Sequence, residues 1–268
     1  MKSNYRSNQE IFFSFIGTGN AFAEGGRFNA GYWLTINKDK PNHTLIDCGP
    51  TTLAGIKKFN LPFAQLHRIL ISHYHGDHFA GLPFLLLDRA YLTSVDNNFS
   101  SSNKFQIYGP VGLEERIKRL IHATYPSQYD VLIGLCEFKV IDPEKHIKFP
   151  EYFLKSKKAN HSEQAIMYRI EFKDTNNSII YTGDNEMLLD QFTFFENSDI
   201  LVTECTTFES QNGNHTSLKF IKDNISKFNE FNIKKVYLTH LGSEVYNKID
   251  IDLPPNVHLA TDGLKISL

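Results

Sequence analysis

The chain has 268 residues, and 41% of them are hydrophobic, which is enough to bury a large core. Its net charge of −2 excludes the overall basic surface that is typical of nucleic-acid-binding domains. The three cysteines are widely spaced and odd in number, so they exclude a disulfide framework and a Cys-x-x-Cys zinc site and predict buried thiols in a reducing compartment.

Short apolar runs typical of β-strands recur along the chain, at 11–16, 32–36, 44–46, 68–71, 105–108, 138–141, 165–172, 178–181, 200–203, 235–239 and 257–260. Helical patterns fall between some of them, at 83–90, 112–122 and 218–228, and the polar stretch 94–102 predicts an exposed loop. The first run is too short for a signal peptide or a membrane span, so we expect a cytoplasmic protein without a membrane segment. We expect one layered α/β domain over residues 1–268.

The segment Ser-His-Tyr-His-Gly-Asp-His at 72–78 directly follows an apolar run. His73 and His75 share one side of an extended backbone, so they can hold one cation together. Asp77 and His78 follow a glycine that lets the chain turn, so they can face a neighbouring position. Imidazole nitrogen and carboxylate oxygen without thiolate favour Zn²⁺, Fe²⁺ or Mn²⁺.

Four further apolar runs end in a residue that can bind a metal or orient a ligand, namely Asp47, Asp184, Glu204 and His240. Sites in sheet-based folds collect at strand ends, because the sheet fixes the backbone there. His161 precedes the run 165–172 and is a further candidate. Asp47 either accepts a hydrogen bond from a ligand histidine or is only a carboxylate in a turn. The remaining histidines, except His215, are expected to be surface or internally satisfied side chains.

The histidine segment resembles the H-x-H-x-D-H signature of the metallo-β-lactamase superfamily. The resemblance implies a four-layer αββα sandwich, an α/β fold in which the metals lie at one edge between the two sheets. It also implies a dinuclear centre, with zinc as the first choice and Mn²⁺ or Fe²⁺ as alternatives. On this resemblance, His73, His75 and His161 hold one cation, Asp77, His78 and His240 hold the other, and Asp184 bridges them. Asp77 is then both a ligand and a catalytic residue.

Glu204 and His215 can form a carboxylate–imidazole pair beside the metals. Such a pair keeps the imidazole protonated, so that it can act as a general acid for the leaving oxygen of a phosphodiester. Alternatively, His215 and the threonine after it cap a helix that begins near residue 217. The stretch Glu-x-Thr-x-Phe at 204–208, the following His-Thr, and Leu-Thr-His-Leu-Gly at 238–242 resemble ribonuclease Z and its phosphodiesterase relatives. This resemblance implies a phosphodiester substrate and a homodimer.

The segment 112–160 contains no long insertion rich in Gly, Lys and Arg that resembles the arm with which ribonuclease Z holds tRNA. The basic stretch 155–158 is short and predicts a solvated charged face. A tRNA substrate is therefore disfavoured, and a smaller phosphodiester such as a cyclic nucleotide or a phosphonate-pathway cyclic phosphate is at least as good an expectation. The alternative activity on the same metals is hydrolysis of a lactone or a thioester, which needs no general acid.

Overall fold

A computed structural model describes residues 10–37, 41–93, 104–143, 145–211, 214–248 and 252–268. Within these residues, two seven-stranded sheets face each other. The first sheet contains, in spatial order, β14 (Lys265–Ser267), β1 (Glu10–Gly17), β2 (Gly31–Asn37), β3 (Asn42–Ile46), β4 (Leu66–Leu70), β5 (Phe105–Gly109) and β6 (Cys136–Val140). The second contains β13 (Val257–Leu259), β12 (Lys235–Thr239), β11 (Ile200–Glu204), β10 (Ser178–Tyr181), β9 (Ile166–Phe172), β8 (Tyr152–Lys158) and β7 (Ile147–Lys148).

Helices cover the outer side of each sheet. Those belonging to the first sheet are α1 (Thr52–Lys58), α2 (Gly76–Phe79), α3 (Leu82–Asp88), which continues into a π-helical turn (Arg89–Thr93), α4 (Leu113–Thr124) and α5 (Tyr129–Gly134). Those belonging to the second are α6 (Phe192–Phe195), α7 (Leu218–Asp223), α8 (Ile225–Glu230) and α9 (Ser243–Tyr246). This is the predicted αββα arrangement. In the described residues, no helix has the length and apolar character needed to cross a membrane.

Alternate residues of each strand pack into different layers. Phe13 and Tyr32 of the first sheet meet Tyr181 of the second in the core between the sheets. Trp33 points to the helices outside the first sheet, and Ile180 points to those outside the second. Because successive side chains of a strand face opposite sides, strands covered on both faces become continuous apolar runs in the sequence.

The predicted apolar runs are strands of the structure, and the three cysteines are free and buried. The prediction missed β7, β8 and β14. The basic stretch 155–158 lies in β8, where Lys155 and Lys157 alternate with buried residues and Lys155 pairs with Glu171 at 2.8 Å, so these lysines lie on a charged face that is partly exposed, as predicted. The predicted loop 94–102 lies outside the described residues.

Parallel strands bring the site residues to one edge of the sandwich. β3 to β6 run parallel in the first sheet, and β10 to β13 run parallel in the second. The carboxyl ends of such strands meet at the same edge of a sheet. The two edges are joined by hydrogen bonds from the backbone N–H of Ile166 to the carbonyl of Ser72, and from that of Leu241 to the carbonyl of Thr18. The strand ends of both sheets therefore form one site.

Candidate metal centre

The seven side chains proposed as metal ligands converge at this edge in two clusters. The first cluster consists of His73, His75, His161 and Asp184, and the second consists of Asp77, His78, Asp184 and His240. Within each cluster the candidate ligand atoms lie within 4.8 Å of one another. The geometry is compatible with a dinuclear metal site in which one carboxylate is shared.

Asp184 lies between the two clusters. Its Oδ1 is 3.1 Å from His78 Nε2 and 3.4 Å from His240 Nε2. Its Oδ2 is 3.8 Å from His73 Nε2 and also 3.8 Å from His161 Nε2. Because each oxygen faces a different pair of imidazoles, the position of Asp184 suits a carboxylate that bridges two cations.

Four histidines of the clusters are oriented in the same way, by a contact at Nδ1 that directs Nε2 into the cluster. The Nδ1 partners are Ser72 Oγ for His73 (3.0 Å), Asp47 Oδ2 for His78 (2.8 Å), the carbonyl oxygen of Asn214 for His161 (2.9 Å) and Thr206 Oγ1 for His240 (2.9 Å). Ser72, Thr206 and Asn214 were not predicted as site residues. The positions of the two hydroxyl residues give a weak indication of this role, since each lies within two residues of a predicted site residue. The contact of the Asn214 backbone carbonyl leaves no trace in the sequence.

His75 is the exception in this set. Its Nδ1, not its Nε2, lies 2.9 Å from His161 Nε2, so Nδ1 is the nitrogen that can bind the shared cation. His75 is also exposed, whereas all four members of the second cluster are buried. The first cluster is therefore the side of the centre that solvent and a substrate can reach.

Among the described residues, some buried polar atoms at the middle of the clusters have no hydrogen-bond partner. They include the Nε2 atoms of His73 and His78 and the Oδ1 atom of Asp184. Each such atom costs about 1–3 kcal/mol if nothing satisfies it. Imidazole nitrogen combined with carboxylate oxygen is a donor set that Zn²⁺, Mn²⁺ and Fe²⁺ bind. The residues therefore fit a centre of divalent cations.

The electrostatics of the clusters agree with this fit. Burial lowers the pKa of His73 and also that of His161, so both imidazoles are held neutral. Burial alone would raise the pKa of Asp77, but a hydrogen bond from His240 and the charges of His78 and His240 lower it well below its usual range. Burial would also raise the pKa of Asp184, which the charges of neighbouring imidazoles lower instead. Neutral imidazoles and ionised carboxylates are the forms that bind metals.

His78 and His240 differ from the other imidazoles. Burial alone would lower their pKa values, but the negative charge of Asp184 outweighs burial and raises both. These two side chains must therefore give up a proton before they bind a cation, so metal affinity should fall as the pH falls.

A carboxylate–imidazole pair lies beside the second cluster. His215 Nδ1 is 2.8 Å from Glu204 Oε1, and the His215 ring stacks on His240 with centroids 5.6 Å apart. Glu204 is buried and also accepts hydrogen bonds of 2.8 Å from the backbone N–H of Asn185 and from Thr206 Oγ1. Burial alone would lower the pKa of His215, but the hydrogen bond and charge of Glu204 raise it.

The alternative of a helix cap does not fit the structure. Helix α7 is capped by Ser217, whose side chain accepts a hydrogen bond from the backbone N–H of Phe220. Thr216 Oγ1 donates instead to the carbonyl of Asn185. His215 therefore makes its Nδ1 contact with Glu204 rather than with a helix end.

Asp47 connects several parts of the site. Besides its contact with His78, it accepts hydrogen bonds from the backbone N–H of Ser72 at 2.7 Å and from the Tyr181 hydroxyl at 2.6 Å. Asp47 and His240 both adopt left-handed backbone conformations, with φ of 56° and 52°. Such strain in non-glycine residues concentrates at functional sites. This geometry favours the orienting role of Asp47 over that of a simple turn carboxylate.

Comparisons with known proteins agree with this architecture. The chain is 26% identical over 292 residues to ribonuclease Z from Oceanobacillus iheyensis, which covers 89% of this chain and 91% of that protein. The metallo-β-lactamase fold protein YhfI from Bacillus subtilis superposes with a TM-score of 0.76 at 21% identity, covering 96% and 99% of the two chains. The short form of human tRNase Z superposes with a TM-score of 0.71 at 22% identity, covering 95% and 98%. These structures confirm the metallo-β-lactamase fold.

The family model described as "Anti-Pycsar protein Apyc1" matches residues 11–252, a range that includes every candidate site residue named above. The predicted membership of the metallo-β-lactamase superfamily and its ribonuclease Z-like branch is confirmed. The chain is thus a metal-dependent hydrolase of this superfamily and belongs to the Anti-Pycsar protein Apyc1 family.

Proposed function

We propose that this hydrolase is a dinuclear phosphodiesterase, with zinc as its metal, that cleaves a small cyclic phosphodiester such as a cyclic nucleotide. The observation that carries the proposal is the His215–Glu204 pair, with its 2.8 Å contact beside the second cluster. A sugar alkoxide is a poor leaving group near neutral pH, so its departure needs a proton donor. Hydrolysis of a lactone or a thioester on the same metals would need no such donor.

In the proposed reaction, one group of residues binds the metals and another donates a proton. Two divalent cations, when bound, supply an activated water and neutralise negative charge on the phosphate oxygens. His73, His75 and His161 would hold one of them, Asp77, His78 and His240 the other, and Asp184 both. His215 holds a proton at Nε2 and presents it to the leaving oxygen, while Glu204 fixes its ring and stabilises the imidazolium.

The segment 113–158 favours a small substrate over a large one. Residues 113–158 are occupied by α4, α5 and strands β6 to β8, and within the described part of this range no long arm extends from the fold. The net charge of −2 provides no general attraction for a polyanion. A substrate that is held mainly at the metals fits these features better than a whole tRNA does.

The test is a substrate panel for the zinc-loaded protein. It includes cyclic mononucleotides, a precursor tRNA, a lactone and a thioester, with the Asp184→Asn variant as a metal-site control. We expect hydrolysis of a cyclic mononucleotide, loss of that activity in Asp184→Asn, and little cleavage of the precursor tRNA. Preferred hydrolysis of the lactone or the thioester would overturn the proposal in favour of the alternative activity.

A further inference from the structure

A groove of about 260 Å³ is lined by residues that follow β5 and β6 and by residues of the β8–β9 turn that also carries His161, and it has no role in the chemistry described above. Its walls include Pro110, Val111 and Ile166, and Val111 is 68% exposed. We refer to it as the side groove. Small-molecule sites typically measure roughly 300–1,000 Å³, so the side groove suits a single ring system rather than a nucleic-acid strand.

Hydrogen bonds join two wall residues of the side groove to the neighbours of His73 in the first cluster. His161 lies in the turn between β8 and β9, and Ile166 of the same hairpin donates a backbone hydrogen bond to the carbonyl of Ser72, at 3.1 Å. On the opposite wall, the Tyr74 hydroxyl donates to the carbonyl of Pro110. Ser72 and Tyr74 flank His73. A substrate whose phosphate lies at the metals can therefore extend into the side groove.

The polar residues of the side groove define what it can bind. They include Lys158, Glu163 and Gln164, so one positive and one negative side chain stand beside a neutral amide. This balance gives no preference for an anion. The Gln164 amide donates one N–H to Glu163 at 3.2 Å, and its second N–H and its oxygen match the donor and acceptor pattern at the edge of a heterocycle, whose flat faces suit the proline and branched aliphatic walls.

We propose that the side groove binds the base of the nucleotide substrate, with Gln164 contacting the polar edge of the base and Val111 its face. This inference rests on the proposed phosphodiesterase function, because the base is attached to the phosphate that the metals receive. It makes Val111 and Gln164 determinants of specificity, and it leaves proton transfer to His215.

The first test measures cleavage by the zinc-loaded protein. Its substrates are the 3′,5′-cyclic mononucleotides and a base-free analogue, methyl riboside 3′,5′-cyclic phosphate. Val111→Trp fills the side groove from an exposed position, so it should lower the ratio of kcat/KM for a cyclic nucleotide to that for the analogue by roughly tenfold, the loss of one good contact. Gln164→Ala should change the order of preference among bases. Val131→Trp, on an exposed position of α5, is the matched control and should leave the ratio unchanged.

An unchanged ratio in Val111→Trp, or an equal loss on both substrates, would overturn the inference. Direct binding of free nucleosides, measured by ligand-observed NMR, separates it from the proposed function. If the protein cleaves no phosphodiester but binds nucleosides in a manner that Val111→Trp abolishes, the proposed function is wrong and the side groove is still a base site. If Val111→Trp leaves nucleoside binding intact, the side groove is not that site.

Discussion

At the scale of single residues, the different roles of the two ring nitrogens of His215 can be tested by the cleavage rates of two phosphodiesters. Its Nδ1 contacts Glu204, so protonation of the leaving oxygen depends on Nε2. His215→Ala should slow cleavage of an alkyl phosphodiester by about 10²–10⁴-fold, the usual worth of a general acid. A p-nitrophenolate leaves without a proton, so cleavage of bis-p-nitrophenyl phosphate should fall much less. Steady-state kinetics on both substrates, with metal content measured on the same samples, checks this prediction.

Equal losses on the two substrates would contradict the assignment of His215 as an acid. Loss of metal in the same variant would show instead that the ring, which stacks on His240, maintains the second cluster. Glu204→Gln is the companion variant. It retains one oxygen acceptor but removes the charge, so it should lower the pKa of His215 and move the alkaline limb of the rate profile to lower pH.

His43 gives the folded protein a pH-dependent stability that is separate from the metal centre. Trp33 Nε1 donates to His43 Nδ1 at 3.2 Å, so the neutral ring carries its proton on Nε2, 3.3 Å from Gln65 Oε1. Burial lowers the pKa of His43 below 6.5. As the pH falls, the unfolded chain therefore takes up this proton before the folded one does. The stabilisation is complete above about pH 6.5 and is lost below it.

We therefore expect His43→Gln to reduce the slope of unfolding free energy against pH on the acid side of neutrality. The measurement is urea unfolding at several values between about pH 8 and pH 5. His122→Gln, at an exposed position of α4, is the control and should keep the wild-type slope. A variant at position 43 with an unchanged slope would show that other groups cause the acid sensitivity.

At the scale of elements, strands covered on both faces were predictable, whereas the half-exposed strand β8 was not. In β10, Ile179 and Tyr181 face the inner core while Ile180 faces the helices, so the sequence shows an unbroken apolar run. In β8, only alternate residues are buried, and the lysines between them gave the segment a solvated character. The missed strand β14 is only three residues long.

The candidate ligands were predictable for a related reason. His240 directly follows β12, and His73 lies shortly after the end of β4. Histidines are uncommon at strand ends, so their presence there indicates a candidate site. Thr206 was missed because a hydroxyl near a strand end is ordinary. Its role depends on a contact with His240, which is 34 positions away in the chain and is visible only after folding.

Thr206 should matter for metal affinity although it binds no cation. Its Oγ1 lies 2.9 Å from His240 Nδ1 and donates to Glu204 at 2.8 Å. Thr206→Val keeps the shape but removes both contacts, so we expect metal affinity at one of two sites to fall by roughly 10–100-fold. Isothermal titration with Zn²⁺ checks this, with Thr193→Val, which alters an exposed side chain, as the control. Unchanged affinity at both sites would exclude the orienting role.

At the scale of the whole molecule, the clusters join the two sheets. His73, His75, Asp77 and His78 follow a strand of the first sheet, whereas His161, Asp184 and His240 adjoin strands of the second. Ligands that bind only the folded state stabilise it by RT ln(1 + [L]/Kd), which is about 4.1 kcal/mol at a concentration of 1,000 Kd. Removal of metal should therefore lower the stability of both sheets together.

Scanning calorimetry with chelator and with increasing Zn²⁺ checks this expectation. We expect a single transition, as for one domain, whose midpoint rises with zinc concentration. Two transitions, of which only one responds to zinc, would contradict both the shared centre and the single domain. Sedimentation of the same samples tests the predicted homodimer, since a monomer at all concentrations would exclude it.

The pairing of the first strand with the last has a consequence for synthesis on the ribosome. Phe12 of β1 lies opposite Ser267 of β14, so this edge of the first sheet stays open until β14 has emerged. The first cluster has its full set of ligands only after Asp184 has emerged, and the second only after His240 has. A stalled product that ends before Asp184 should consequently lack ligands of both cations and be inert.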